Sequence, residues 1–277
     1  MKNIRLIARL DIKSENLVKG IHLEGLRIIG DPSEYAKKYY EDGADEIYYE
    51  DTVASLYGRN NLKEVVKKTA KNVSIPLLVG GGLRSIDDIK EILRAGADKV
   101  SINSQAIKDK SFITKAVKYF GSSTIVLNVT YKSWPDRSFV NNKYKTVSHG
   151  LNKETSEWKK FFQVYVENGR EQTGLDAIDW IIEAEKLGIG EVILTSIDQD
   201  GTKKGFDLNL TKKICSILSI PVIVTGGCGS IDDVQGLIEK TDCDAVSIAS
   251  SLHYDIFSIS QLKHNLNKKN IKVTFHE

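Results

Sequence analysis

The chain has 277 residues, of which 41% are hydrophobic and 27% charged, and its formal net charge is +2. Such a balanced charge, with no interleaving of aromatic and basic residues, argues against a nucleic-acid-binding protein. Lys2, Arg5 and Arg9 interrupt the N-terminal apolar run, and no stretch of about 18 apolar residues is present, so we expect neither a signal peptide nor a membrane span. Three cysteines without metal-ligand spacing suit a reducing compartment, and we expect a cytoplasmic protein.

The first half of the chain predicts four strands, each followed by a helical pattern. The apolar, β-branched runs lie near 5–11, 46–51, 76–80 and 99–103. After the third run come Gly-Gly and then Ser85, which precedes Ile-Asp-Asp and a helical pattern as an N-cap does. A strand, a glycine turn, a helix and a second strand form a parallel βαβ element.

The second half repeats this order. IPLLVGGGLRSIDD at 75–88 returns as IPVIVTGGCGSIDD at 220–233, which is 145 positions later. Shorter pairs are GADEIYYED (43–51) with GIGEVILTS (188–196), and RLDIK (9–13) with NVTYK (128–132). Four further strands are predicted near 124–130, 191–196, 221–225 and 245–249. Eight parallel strands alternating with helices predict a (β/α)8 TIM barrel built from two half-barrel repeats, as one domain over 1–277, because an open doubly wound sheet has no reason to be two-fold repeated.

In such a barrel the active site lies at the carboxyl ends of the strands. The residues expected there are Asp11, Asp51, Gly80–Gly82, Asn103–Ser104, Asn128–Thr130, Thr195–Asp200, Gly226–Gly227 and Ser250. Glycine lets a backbone approach a ligand closely, and a helix N-terminus offers free N–H groups to an anion. A Gly-Gly pair is also typical of an ordinary tight turn. Two such pairs at two-fold spacing favour two phosphate sites, and therefore a substrate with a phosphate at each end.

Several motifs run along nearly the whole chain. They are LDIK at 10–13, VKG at 18–20, VGGGLRS at 79–85, AGADKVSIN at 95–103, LTSIDQDGTKKGFD at 194–207 and TGG at 225–227. Together they closely resemble the cyclase subunit of imidazole glycerol phosphate synthase, and more loosely the phosphoribosyl isomerase barrel. In the cyclase family a glutaminase subunit docks on the bottom face of the barrel and its ammonia travels through to the top. There a bisphosphate ribonucleotide derivative is cleaved and closed into an imidazole.

This resemblance implies roles for particular residues. One phosphate site would use Gly82, Asn103 and Ser104, and the other Gly201, Gly226, Gly227 and Ser250. Lys19, in the loop after the first strand, would bind an anion and close over substrate. The pocket would also be lined by Asp51, Thr195 and Asp200.

The family's acid–base chemistry uses two aspartates, one ending strand 1 and one ending strand 5. Asp11 matches the first, but the second aligns with Thr130, and the internal repeat of LDIK and VTYK gives the same alignment. A threonine hydroxyl does not titrate near neutral pH, so it cannot replace a carboxylate. This departure argues against the complete cyclase reaction.

Two functions therefore remain open. The segments ARLDIKSENLVKGIHLEGLR and EDTVASLYGRN resemble a paralogous group that occurs with bacterial surface-sugar genes. That resemblance favours an ammonia-conducting subunit that supports acetamidino-sugar synthesis, with a sugar amidotransferase as a further partner. The alternative is an authentic cyclase of histidine biosynthesis.

The chain also contains an insertion relative to the family, at about 133–162. It is either a partner-docking hairpin or only an enlarged loop without a role in binding.

Charged residues also stand at the predicted strand starts, namely Arg5, Glu46, Lys99 and Glu191. Such charges commonly form a salt-bridged plug that only caps the core, but here they match the family's ammonia gate. Asp98 matches the residue that contacts the glutaminase, so we expect a heterodimer with a class I glutaminase on this face. No histidine–carboxylate cluster has metal-ligand spacing and no dinucleotide fingerprint is present, so we expect neither a metal nor a cofactor.

Overall fold

A computed structural model describes residues 2–54, 62–136 and 160–276. Within these ranges the strands are β1 (Arg5–Lys13), β2 (Asn16–Ile21), β3 (Glu24–Gly30), β4 (Glu46–Asp51), β5 (Leu77–Gly80), β6 (Lys99–Ile102), β7 (Ile125–Trp134), β8 (Phe161–Val166), β9 (Glu171–Asp176), β10 (Glu191–Ser196), β11 (Val222–Thr225) and β12 (Ala245–Ile248). The helices are α1 (Pro32–Glu41), α2 (Leu62–Ala70), α3 (Ile86–Ala95), α4 (Ser104–Lys108), α5 (Ser111–Phe120), α6 (Ala177–Lys186), α7 (Leu208–Ile217), α8 (Ile231–Thr241), α9 (Ser250–His253) and α10 (Ile259–Lys268).

Eight of the strands close into a parallel barrel. Their order around the barrel is β1, β4, β5, β6, β7, β10, β11 and β12. β12 returns to β1 in parallel register, with Arg5 opposite Ala245, and this pairing completes the circle. The predicted (β/α)8 barrel is confirmed, and the open doubly wound sheet is wrong because no strand of the barrel is left with a free edge among the described residues.

The two halves begin alike. In each, the first strand runs past the barrel rim and turns back into an antiparallel ribbon: β1 continues into β2 and β3, and β7 into β8 and β9. The sequence predicts a loop at Lys19, whereas the structure places that residue on β2. The ends of the predicted insertion likewise lie on β7 and β8. Residues 137–159 of it, including Phe139, Tyr144 and Trp158, fall outside the described residues, so the role of the insertion stays a prediction.

The repeated fourteen-residue motif produces the same local structure twice. The side chains of Ser85 and Ser230 each accept a hydrogen bond from the backbone N–H of the third residue of the following helix. That third residue is an aspartate, and its carboxylate accepts a hydrogen bond from the backbone N–H of the serine. This reciprocal capping box satisfies N–H groups that the first helical turn leaves free. The capping box fixes the first residue of α3 and of α8, and therefore the number of residues between each glycine turn and its helix.

Among the described residues, apolar side chains form two main clusters and a third small one of Leu23, Tyr165 and Ile197. The larger main cluster lies between the strands and the surrounding helices, and the other main cluster consists of seven residues inside the barrel: Ile7, Tyr48, Leu78, Val126, Ile193, Ile223 and Ala245. The barrel is therefore packed rather than hollow at this level, as is usual for eight strands. None of the described helices is long and apolar enough to cross a bilayer.

Candidate functional site

Alternation along β1 organises the barrel interior into levels. Successive side chains of a strand point to opposite faces, so Arg5, Ile7, Arg9 and Asp11 share the inward face. Arg5 lies in a ring of charges at the bottom of the barrel, and Ile7 lies in the apolar cluster above it. Arg9 lies in a polar layer, and Asp11 lies at the mouth of the barrel.

The bottom ring contains the four charged residues predicted to form a gate. Arg5 Nη1 donates to Glu46 Oε2 at 2.7 Å, and its other terminal nitrogen donates to Glu191. Lys99 Nζ lies 3.2 Å from Glu46 Oε2 and 3.0 Å from Glu191 Oε2. Acids and bases thus alternate around a closed circuit. Burial raises the pKa of Glu46 although Lys99 and Arg5 act in the opposite direction.

Asp98 lies beside this ring and is exposed. Its Oδ2 accepts a hydrogen bond from the backbone N–H of Leu77 at 2.9 Å. In the second half Asp244 does the same for Val222, also at 2.9 Å. Both aspartates thus have the same structural role at a strand start, and Asp98 also presents a charge on the bottom face.

Above the apolar cluster lies a polar layer that sequence reasoning missed. Arg9 is only 1% exposed; its Nε donates to Asp11 at 2.8 Å, and its guanidinium lies 5.3 Å from the centre of the Tyr48 ring. Arg9 Nη1 also donates to Thr195 Oγ1, and Thr195 in turn donates to Asn128 Oδ1 at 2.8 Å. The signal was present in the sequence, because a charged residue inside an otherwise apolar predicted strand requires a buried partner.

Asp11, the predicted acid–base residue, is held between two cations. Lys19 Nζ donates to Asp11 Oδ2 at 2.8 Å and to both carboxylate oxygens of Asp200 at 2.9 Å. Burial alone would favour the neutral acid, but Arg9 and then Lys19 outweigh it and keep the pKa of Asp11 well below its usual range. Asp11 is therefore a fixed anion in this arrangement, and Lys19 is a buried cation with two acidic partners.

Glu50 is the titratable group of the polar layer. Its Oε2 accepts hydrogen bonds from the Tyr48 hydroxyl and from Ser101 Oγ at 3.4 Å. Burial raises the pKa of Glu50 to about 7; Asp11 and Asp51 act in the same direction, whereas Arg9 and the Tyr48 hydrogen bond oppose the shift. Glu50 was not among the predicted site residues, because Asp51 follows it at the strand end and matched the family pattern.

Gly80 makes room for this carboxyl group. A Cβ atom at Gly80 would lie 2.4 Å from Glu50 Oε2 and 1.9 Å from Ser101 Oγ. Atoms cannot approach that closely, so a larger residue here would displace one or both side chains. The glycine at the end of β5 therefore serves the polar layer as well as the turn.

The first predicted phosphate site opens on a pocket at the carboxyl ends of β4 to β7. The pocket is lined by Glu50, Asp51, Gly81, Gly82, Leu83, Arg84, Ser101, Ile102, Asn103, Ser104, Gln105, Lys108, Asn128, Thr130, Glu167 and Asn168. Gly82 has φ +72°, a conformation that favours glycine. Asn103 Nδ2 donates to Thr130 Oγ1 at 3.4 Å, while the buried Asn103 Oδ1 has no hydrogen-bond partner among the described residues. The pocket thus joins a glycine turn, two cations (Arg84 and Lys108) and an unsatisfied amide oxygen.

The second predicted phosphate site has a different character. A Cβ atom at Gly227, where φ is +104°, would lie 2.0 Å from the carbonyl oxygen of Gly205. One at Gly201 would lie 2.3 Å from the carbonyl oxygen of Gly20. These glycines allow close backbone packing, and Gly226 also has a positive φ of +97°. Ser250 is buried at the start of α9, so a second phosphate site here stays a prediction.

The comparison with protein families decides the relationship. Residues 5–258 match the model for the family described as histidine biosynthesis protein. The chain belongs to this family.

Relatives of this chain carry the name imidazole glycerol phosphate synthase subunit HisF. The protein from Legionella pneumophila is 52% identical over 233 residues, which cover 84% of this chain and 99% of the relative. Those from Nitrosopumilus maritimus and Lactococcus lactis subsp. cremoris (strain MG1363) are each 43% identical, over 269 and 267 residues. These alignments cover 97% and 96% of this chain, and 98% and 95% of the respective relatives. The family predicted from the motifs is therefore confirmed, whereas the surface-sugar group within it stays a prediction.

Proposed function

We propose that this chain is the cyclase subunit of an imidazole glycerol phosphate synthase. In this proposal it uses ammonia to convert a bisphosphate ribonucleotide into imidazole glycerol phosphate and a carboxamide ribonucleotide. The observation that carries the proposal is the pocket at the barrel mouth, where the glycine turn and the cations Arg84 and Lys108 lie beside the buried polar layer. The names of the relatives support the same reading.

The sequence favoured an ammonia-conducting subunit because Thr130 replaces an acid. Two observations favour the cyclase instead. The relatives are named for the synthase, and Glu50 supplies a titratable carboxyl group to the same pocket that Thr130 lines. The absence of an aspartate at position 130 therefore does not leave the pocket without a group able to transfer a proton.

The site residues suit an anionic substrate. Backbone N–H groups of the turn at Gly81–Gly82 and the side chains of Arg84 and Lys108 are groups that bind phosphate. Lys19 is already paired with Asp11 and Asp200, so a phosphate can recruit it only by replacing one carboxylate. We infer that Lys19 exchanges partners when substrate binds.

Ammonia is proposed to enter at the opposite end of the barrel. A glutaminase subunit would dock on the strand-start face, where Asp98 is exposed, and deliver ammonia at the ring of Arg5, Glu46, Lys99 and Glu191. The ring is closed by direct ion pairs, so passage requires that one pair separate. Lys99 is the simplest candidate because a lysine side chain is long and flexible.

The experiment compares two nitrogen sources. The purified chain receives the bisphosphate ribonucleotide with either ammonium salt or glutamine and the partner glutaminase, and imidazole glycerol phosphate is measured. We expect Lys99→Ala to lower glutamine-driven turnover while ammonium-driven turnover stays near that of the wild type. Failure of the wild type to form product from ammonium salt would refute the cyclase.

Docking has its own matched pair of variants. Asp98→Asn and Asp244→Asn each remove the carboxylate that accepts the strand-start N–H. Asp244→Asn also removes an ion pair with Lys2 at 3.0 Å, so the control variant bears at least the structural cost of the test variant. We expect only Asp98→Asn to weaken association with the glutaminase, measured by titration calorimetry. Equal affinities for the two variants would exclude Asp98 as the partner contact.

The ammonia-conducting function is the second candidate, and Thr130 is the observation that favours it. It predicts that the wild type activates the glutaminase yet forms no imidazole product from ammonium salt. In that case the nitrogen would pass to a sugar amidotransferase, and adding that enzyme should yield an amidinated sugar.

A further inference from the structure

We propose that Glu50 is the second proton-transfer group of this pocket and takes the role that Thr130 cannot fill. The inference rests on the proposed cyclase function. It concerns a residue on β4, three barrel strands away from the strand that bears Thr130.

The register places Glu50 beside the first acid. On neighbouring strands Asp11 pairs with Glu50, and Glu50 pairs in turn with Gly80. Glu50 is partly exposed and lines the pocket, whereas its neighbour Tyr48 is fully buried beneath it. A ligand in the pocket can therefore approach the Glu50 carboxyl group from above while the protein holds it from below.

The hydrogen bonds fix one oxygen and leave the other available. Tyr48, Ser101 and Asn128 all donate to Oε2 of Glu50, the last at 3.5 Å. Among the described residues none donates to Oε1. A carboxyl group oriented through one oxygen, with the second oxygen available, is suited to exchange a proton with a bound substrate.

Burial is the main reason why Glu50 can hold a proton, and the charges around it do not cancel that effect. Arg9 and Lys19 are two buried cations, and Asp11 and Asp200 are two buried anions that pair with them. These four charges balance, so ionised Glu50 would add an uncompensated negative charge next to Asp11 in a buried layer. The pKa of about 7 is consistent with this excess.

The proton balance of the step is simple. Protonated Glu50 gives its proton to the leaving substrate nitrogen, which keeps the electron pair of the broken carbon–nitrogen bond, and Glu50 becomes a carboxylate. Ammonia supplies the electron pair of the replacing bond to the same carbon, and the carboxylate takes a proton from the resulting ammonium nitrogen and returns to the acid. One carbon–nitrogen bond is thus exchanged for another, with no net change in the protons on Glu50. Asp11, paired with Arg9 and Lys19, remains anionic throughout and orients these cations.

Glu50→Gln tests the proposal, because glutamine has the same length and its carbonyl oxygen can still accept from Tyr48. With ammonium salt as the nitrogen source, we expect kcat to fall by about 10²–10⁴-fold. The KM for the bisphosphate should stay within about threefold, since the phosphate-binding groups are untouched. The limb of the pH–rate profile near pH 7 should also disappear.

Three further variants separate the role of Glu50 from a general loss of structure. Glu50→Asp retains a titratable carboxyl group and should recover part of the rate, whereas Glu64→Gln, on the exposed face of α2, should leave the rate unchanged. Adding Thr130→Asp to Glu50→Gln should restore turnover if the two positions are interchangeable. The melting temperature of each variant shows whether it is folded.

The possible results distinguish a wrong role for Glu50 from a wrong assignment of the cyclase function. An active wild type with an equally active Glu50→Gln variant, or with an unchanged pH limb, would overturn the role of Glu50 and leave the cyclase intact. A wild type that forms no product would remove the proposed function and this inference with it.

Discussion

The two half-barrels share their framework but differ in what they carry inside. Ser85 and Ser230 cap their helices identically, and Glu46 and Glu191 stand at matching strand starts. At the polar layer the halves diverge, because Glu50 in the first half corresponds to Thr195 in the second. The repeat thus fixes where strands and helices begin, while single inward positions decide the local chemistry.

The glycine turns differ in the same way. Gly82 lines the open pocket of the first half, whereas the matching Gly227 packs against the backbone of Gly205. At this one position the first copy of the motif faces a pocket and the second packs against backbone, although Gly81 in the first copy also packs against the backbone of Asp51. We therefore expect the same substitution, glycine to alanine, to change stability and ligand binding differently in the two halves.

The largest contrast is expected between Gly227→Ala and Gly82→Ala. At Gly227 the new methyl group meets a carbonyl oxygen and φ is positive, and we expect a loss of about 3–5 kcal/mol in the free energy of unfolding. At Gly82 the cost should be about 1–2 kcal/mol, from the positive φ, together with weaker phosphate binding. Urea unfolding and a phosphate titration measure the two effects. Equal stability losses would show that both glycines serve packing.

Glu50 should make the first half sensitive to pH. Its folded pKa of about 7 exceeds the usual value for glutamate, so the folded state binds the extra proton. Stability should therefore fall as pH rises from about 4 to about 7, by about 3 kcal/mol at most. Glu50→Gln should remove this slope, whereas Thr195→Val should retain it. Parallel curves for wild type and Glu50→Gln would contradict the assigned pKa shift.

The bottom ring joins the halves, and removing one acid should cost less than the glycine change. Glu46→Gln leaves Arg5 and Lys99 to share Glu191, and we expect a loss of about 2 kcal/mol because the two cations are partly solvated. Lys99→Met in the same chain should recover part of that loss. A double-mutant cycle by chemical denaturation measures this coupling, and additive effects would mean that the ring is not a unit.

The smallest effects should be equal in the two halves. Ser85→Ala and Ser230→Ala each remove an N-cap that accepts from the third helical residue, at a cost of about 1 kcal/mol. Thermal unfolding of both variants measures it. A difference well above the error of the measurement would mean that the repeat does not impose the same local energetics twice.

The fold could be predicted from the sequence because the repeat supplies each strand and its cap twice. The strands were located by their apolar, β-branched runs, and the starts of α3 and α8 by Ser85 and Ser230. The antiparallel ribbon of β2 and β3 could not be predicted, since residues 14–30 have no partner in the sequence repeat and their pairing depends on contact between Asp11 and Val18 in space.

Most of the candidate site residues were predicted from their position at or just after a strand end, and Lys19 was predicted from the family resemblance. Asp11, Asp51, Asn103 and Thr130 were found by their position, and they lie at the barrel mouth. Glu50 was missed because the pattern counts positions along one strand, whereas its importance comes from Asp11 on the neighbouring strand. Tyr48 on the same strand, together with Gly80, Ser101 and Asn128 from three other strands, then completes its surroundings.

The pairing of β1 with β12 has a consequence for synthesis of the protein. β1 emerges from the ribosome before the other barrel strands, yet one of its edges has no backbone partner until Val246 and its neighbours on β12 emerge. At about 5–20 residues per second that edge waits for at least ten seconds. The other edge pairs with β4 much sooner, so the first half-barrel can assemble while its outer edge is still open. Chaperones or rapid translation of the second half would matter most during that interval.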